Sequence, residues 1–479
     1  MPRTSRRALL LLVVSIYCLL VLPRLLSYGM FVDGIVYASI ARNMAENYGS
    51  FWRPYYTATV APVFADQPPL GFWLQSWAYR LFGNSVYIEA LWGFVAGVLI
   101  LVGLGCVWRY NTPQGGTLAG PWFPILLFVI IPMTSWILSN NMLENTMTVF
   151  IMASVYACLL SLKSPRKPLF LFYGLLSGFS TFLAFLVKGP VALFTMAIPF
   201  LPKIKKEESF AKTIVKKFYI TFIFLLLFTT MLLVDENSRH FFSQYIEKQI
   251  IASIGGKREI QSSHLNILYT ICCDMIVPLV FAGLFVVIMY RLRKTTRISI
   301  NYRLLLYYLC IALVGSLPIL ISPKQMRWYA FPSLPFYTLA SATVFNDVAI
   351  ALEELIEDNK KLYKKILFFS VAIFLFSIIL MIVGKNYVGR HEYFHNDFSI
   401  QLLNIEEREL ISVYPENIET EWSLVANMQR QFKASLTKDY GNNYLLSTTK
   451  YKNSPYITST YRFIHPGNPK KYILFKLND

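Results

Sequence analysis

The residues of this chain that could do chemistry are charges set at the ends of long apolar segments. Asp33 follows the first apolar run, Glu144 lies in SNNMLENTMTVF, and Lys188 closes another run before Gly189-Pro190. Lys324 and Arg327 share the stretch ISPKQMRWYAFP, Asp66 lies in FADQPPLGFWLQSWAYRLFG, and Glu247 and His264 belong to a longer polar interval. Ionisable groups at membrane depth are costly, which makes them candidates for function. A carboxylate within hydrogen-bond reach can orient or deprotonate a hydroxyl. Cations can hold a phosphate where its charge develops on departure. Each residue also has a plainer reading. Asp33 and Glu144 can cap helices, Lys188 can snorkel to an interface, and His264 can be a packing histidine. Taken together, two acids and three bases suit attack by a hydroxyl with a lipid phosphate leaving.

The elements that must position these groups are membrane helices. The chain has 479 residues, 55% of them hydrophobic, and a mean hydropathy of +0.46. Apolar windows of this length can cross a hydrocarbon core of about 30 Å, and helices satisfy every backbone polar group without water. Hydropathy predicts eleven spans, roughly 8–26, 87–107, 122–139, 145–162, 169–187, 190–202, 218–234, 269–290, 304–321, 329–346 and 366–383. The sixth is too short to cross upright, and Gly189-Pro190 before it predicts a broken or tilted pair.

The formal charge of +18 is concentrated in short inter-helix loops. That excludes a nucleic-acid partner as its reason and points to anionic membrane lipids. With the basic N-terminus inside, Lys163/Arg166/Lys167, Lys203/Lys205/Lys206, Arg291/Arg293/Lys294/Arg297 and Lys360/Lys361/Lys364/Lys365 all face the cytoplasm. Intervals 27–86, 140–144, 188–189, 235–268, 322–328 and the tail are then extracytoplasmic. The run from Ala8 to Leu22 has no small-residue cleavage site and is expected to stay as the first helix. All six cysteines lie in apolar segments, so neither a disulfide framework nor a metal-type cysteine spacing is present. The absence of any Asn-x-Ser/Thr site fits a bacterial protein.

The expected architecture is an all-α polytopic membrane protein of about 11 transmembrane helices with a small C-terminal α/β extracytoplasmic domain. Residues 1–383 form the membrane domain, with loops 27–86 and 235–268. Residues 384–479 form the second domain, with an amphipathic EWSLVANMQRQFKAS and strands YRFIH and KKYILFKL around PGNP. The aromatic loop from Tyr28 to Glu89 is expected to lie back on the membrane and roof a cavity.

At these motifs the chain resembles a known family. Asp33-Gly34, YASIARNM, DQPPLGFWL and RLFG, then NMLENTMTVF, LVKGPVAL, HLNILY and SPKQMRWYAFPSLPFY follow one order. Over roughly residues 8–345 they resemble the polyprenyl-phosphate-sugar-dependent glycosyltransferases of the GT-C superfamily. The branch is the protein O-mannosyltransferase-like and lipid A aminoarabinose transferase-like one.

The resemblance implies an inverting transfer of a hexosyl or pentosyl unit from a polyprenyl-phosphate carrier to a lipid, glycan or protein acceptor. Asp33 would be the principal catalytic carboxylate and Glu144 its support. Asp66, Gln67, Lys188, His264, Lys324 and Arg327 would bind substrate. The family often has an acid at the position of Gly34 and a lysine at that of Gln67. No cofactor is certain from the resemblance, a divalent metal stays open, and no nucleotide-binding motif is needed for a donor that is already lipid-linked. The expected location is a bacterial plasma (inner) membrane, with the site facing the periplasm. The rival readings are a polysaccharide polymerase or ligase using a lipid-diphosphate glycan, and a membrane transporter or flippase.

Overall fold

The computed structural model describes residues 4–111, 118–201, 210–255, 265–292, 299–385, 387–390, 405–464 and 469–478. The basic clusters at 203–206 and 293–297, His264 and most of PGNP lie outside these residues. The described chain gathers into two units. The first comprises Met1–Leu25, Asp66–Gly71 and Gly93–Val383, and the second Leu26–Ala65, Phe72–Trp92 and Gly384–Asp479.

Helices dominate, as their composition requires. Among the described residues seven are long and apolar enough to cross a bilayer, or eight if Phe218–Val234 and Glu236–Ile251, bent by 112°, are one broken span. The seven are Thr4–Arg24, Tyr87–Tyr110, Leu143–Lys163, Lys167–Phe200, Asn266–Arg291, Tyr302–Ile321 and Lys360–Val383.

Three expected spans are built differently, each at a proline. Segment 122–139 splits into Trp122–Val129 and Pro132–Leu138. Segment 190–202 continues the preceding helix as a 3-10 run, Gly189–Phe200, with Pro190 at its start and Pro199 inside. Segment 329–346 begins as a 3-10 turn, Arg327–Ser333, containing Pro332, before the helix Leu334–Val344. A proline removes one backbone donor and clashes with the preceding turn, so an α-helix breaks or tightens there.

In the first unit, the helices Leu143–Lys163 and Lys167–Lys188 pack side by side. A link of residues 164–166 forces them antiparallel. Small hydroxyl side chains hold the seam: Ser154 lies 2.8 Å from Thr181, and Thr181 lies 2.9 Å from Thr195. Such residues let apolar helices approach closely where lipid offers no hydrophobic gain. The first helix, Thr4–Val21, packs on the last, Lys360–Val383.

The second unit has a helix, Val32–Ala45, a short hairpin of β1 (Gly49–Ser50) and β2 (Arg53–Pro54), and a five-stranded sheet. Its strands are β3 (Leu410–Tyr414), β4 (Ser435–Thr437), β5 (Tyr444–Thr448), β6 (Tyr461–Phe463) and β7 (Tyr472–Leu477). The order is β4-β3-β5-β7-β6, with β3 parallel to β4 and β5, and β7 antiparallel to β5 and β6.

The two strands read around PGNP are β6 and β7. The amphipathic stretch is the crossover from β3 to β4, a helix Trp422–Asn427 extended by the π turn Met428–Phe432. Parallel neighbours require such a crossover. Leu445, Ile457, Tyr461, Ile473 and Phe475 form the sheet's apolar core.

The tail does not stand apart from the first loop. Arg42, 1% exposed, donates to the carbonyls of Arg430 (2.9 Å) and Gln429 (3.0 Å). Gln429 donates to the Tyr56 carbonyl at 2.6 Å, and Thr59 to that of Leu436 at 2.7 Å.

Candidate functional site

Glu144 is the second residue of the helix Leu143–Lys163 and Lys188 the last of Lys167–Lys188. Helices of 21 and 22 residues are each about 30 Å long at 1.5 Å per residue. Joined antiparallel by a short link, they bring these two residues to the same end. Each charge also suits its own helix, the acid at an N-terminus and the base at a C-terminus.

The pair closes at 2.6 Å between Lys188 Nζ and Glu144 Oε1, with both side chains buried. Lys188 Nζ also lies 5.6 Å from the centre of the Tyr329 ring. The turn before Glu144 is fixed by Asn145, whose amide donates to the Ile137 carbonyl at 3.1 Å.

Gly189 ends the Lys188 helix with φ 76° and ψ −143°, a region essentially restricted to glycine. A Cβ there would also meet the hydroxyl of Tyr245. The glycine therefore marks the change from the α-helix to the 3-10 run Gly189–Phe200 directly behind the lysine.

The stretch 322–328 meets the helix Asn266–Arg291 at two points. Gln325 is buried, and its Oε1 accepts from the Ile267 backbone N–H at 3.0 Å while its carbonyl accepts from Asn266 Nδ2 at 3.0 Å. The helix start thereby gains a partner for one of its orphan donors, the Ile267 N–H. Further along, Arg327 Nε donates to Asp274 Oδ2 at 3.1 Å, and Nη2 donates to Oδ1. This hydrogen-bonded carboxylate raises the guanidinium's pKa above its ordinary value. Trp328 stacks on Trp136 with ring centres 5.6 Å apart. Lys324 is half-buried in the same turn, where its N–H faces the Ser322 hydroxyl at 3.3 Å.

The remaining sequence-predicted residues fall as follows. Asp66 and Gln67, in the first unit, form a half-buried bend before the helix Leu70–Phe82. Asp33, in the second unit, is half-buried in the first turn of Val32–Ala45, whose cap position is Phe31. It is thus a first-turn acid, not the cap. Glu247 is exposed on the π turn Ile246–Ile251. Among the described residues no cluster of three metal-ligating side chains occurs.

Sequence reasoning missed Asp274, Gln325, Tyr245 and Tyr329. Asp274 had a readable signal, as the sole acid in a 26-residue apolar helix. The other three are ordinary residue types that matter only by what they touch.

Comparison with known proteins bears on the same segment. Residues 66–233 match the family described as dolichyl-phosphate-mannose-protein mannosyltransferase. Asp66, Gln67, Glu144 and Lys188 fall within that match. Over 190 residues, 38% of this chain, the sequence is 27% identical to undecaprenyl phosphate-alpha-4-amino-4-deoxy-L-arabinose arabinosyl transferase 1 of Proteus mirabilis. That alignment spans 32% of the relative's length, so the chain matches about a third of it. ArnT of Cupriavidus metallidurans, solved bound to undecaprenyl phosphate, superposes with a TM-score of 0.62 over 98% of each chain at 14% identity. Its apo structure gives 0.57 over 95% of each at 13% identity. At such identity the likeness speaks for the fold. The matched segment is thus similar to the protein-mannosyltransferase family, and the fold is similar to that of ArnT.

Proposed function

We propose that this protein is an integral-membrane glycosyltransferase that takes a sugar from a polyprenyl-phosphate carrier and passes it to a lipid, glycan or protein acceptor. The observation that carries this reading is the pairing of cations with acids around one 3-10 turn. Lys188, held by Glu144, lies against Tyr329, and Arg327, held by Asp274, is two residues before it. Cations held this way keep their positions and remain available to a phosphate whose negative charge grows as it leaves. The family match over 66–233 and the relatives' printed carriers, undecaprenyl and dolichyl phosphates, agree with such a donor.

In the reaction, the acceptor oxygen attacks the anomeric carbon and a new glycosidic bond forms with inversion. The bond from that carbon to the phosphate oxygen breaks, and the carrier phosphate leaves toward Lys188, Lys324 and Arg327. Asp33 orients the acceptor and takes its proton, while Glu144 holds Lys188. Asp66 and Gln67 contact the sugar-phosphate from the bend before Leu70. The acceptor side faces the periplasm of a bacterial inner membrane.

The test is conversion of a panel of undecaprenyl-phosphate sugars to free undecaprenyl phosphate by the purified protein in nanodiscs, with bacterial envelope lipids, glycans and proteins supplied as acceptors, followed by mass spectrometry of donors and acceptors. The wild type is expected to consume at least one donor, and Asp33→Asn to slow it by about 100-fold or more. No consumption across the panel, or equal rates in the variant, would overturn the assignment.

A further inference from the structure

We infer that Asp274 is a positioning residue that fixes the guanidinium of Arg327 for the carrier phosphate, an inference that rests on the function proposed above. Asp274 is the sole acid of the helix Asn266–Arg291, eight residues in from its start. Its side chain is 3% exposed, whereas that of Arg327 is 42% exposed. The pair is therefore lopsided, with a buried anion and a cation whose outer part stays open.

Asp274 engages Nε and Nη2 of Arg327, and Nη1 has no hydrogen bond among the described residues. Two parallel bonds to a planar fork fix its plane as well as its place. The edge bearing Nη1 then faces away from the acid, with its donors set for an incoming oxyanion. Asp274 does not touch the phosphate itself. It acts through Arg327.

The plainer role, a staple holding the turn to the helix, is already filled. Gln325 ties the turn to Asn266 and Ile267 by two hydrogen bonds of 3.0 Å. A buried ion pair is in general a weak source of stability, and an apolar residue at its position often serves as well. A lone carboxylate in an apolar helix is costly without its partner. What the pair adds beyond Gln325 is the orientation of one guanidinium.

The experiment measures binding of undecaprenyl phosphate to the full-length protein in nanodiscs, with the thermal midpoint recorded alongside. Arg327→Ala and Asp274→Asn are each expected to weaken binding by about tenfold, and the double variant no further than Arg327→Ala alone, as coupled neighbours do. Asp274→Leu is expected to lose binding to the same extent while keeping a midpoint near the wild type. Arg327→Lys, a point charge without the fork, is expected not to restore it.

Unchanged binding in Asp274→Asn and Asp274→Leu would overturn the inference and leave the proposed function standing. So would the same fractional loss from Asp274→Asn with and without Arg327, which marks a structural effect. No binding by the wild type would overturn both.

Discussion

Lys188 and Glu144 show what burial does to a charge. Each would be costly alone in an apolar bundle, and together at 2.6 Å they offset one another. Removing one partner leaves the other charged and buried. Glu144→Gln and Lys188→Met are each expected to destabilise the protein by about 3–5 kcal/mol, seen as a lowered thermal midpoint in detergent. The double change Glu144→Leu with Lys188→Met is expected to recover most of that stability while sugar transfer stays lost. Recovery of transfer would show that neither charge acts in the reaction. The adjoining Gly189→Ala meets a different barrier, because its φ of 76° and the Tyr245 hydroxyl leave no room for a side chain. It is expected to cost about 1–3 kcal/mol and to lower turnover, since the residue it displaces follows Lys188 directly. A wild-type midpoint in Gly189→Ala would refute that account.

At the scale of elements, the helix carrying Asp33 is held by the C-terminal segment. Arg42, nine residues beyond Asp33, reaches the carbonyls at the end of the crossover from β3 to β4. Helix C-termini carry unsatisfied carbonyls and negative partial charge, so a guanidinium is well matched there. Burial, and next the neighbouring Arg430, push the pKa of Arg42 down to about 10, leaving it charged at neutral pH. Arg430 in turn bonds Glu89 at 2.6 Å and Asn84 at 2.9 Å. Arg42→Ala is expected to destabilise by about 1–3 kcal/mol, by leaving those carbonyls without their donor. Limited proteolysis should then cut faster within 26–65 and 405–464. Cleavage at the wild-type rate would mean that the carbonyls find other partners. The elements themselves were unevenly legible. The long spans declared themselves by composition. The breaks at Pro132, Pro190 and Pro332 were visible as prolines but could not be ranked by hydropathy, which averages over them.

For the molecule as a whole, the basic clusters at one set of helix ends argue an orientation that labelling can check. Arg166 lies in the link between Leu143–Lys163 and Lys167–Lys188, while Ile321 is exposed at the end of Tyr302–Ile321. In a cysteine-free background, Arg166→Cys is expected to react with a membrane-impermeant maleimide only from the cytoplasmic side, and Ile321→Cys only from the periplasmic side. Labelling of both from one side would rule the topology out. The sequence by itself determined the membrane class, the GT-C resemblance and the residue types at the candidate site, because hydropathy, charge asymmetry and short motifs are local properties of the chain. Only the tertiary structure decided that Lys188 is held by Glu144, that Arg327 is held by Asp274, and that the loop bearing Arg42 folds with the tail. These pairings join residues 44, 53 and 388 positions apart. They depend on which helix ends and loop carbonyls meet in space, and no local pattern encodes that.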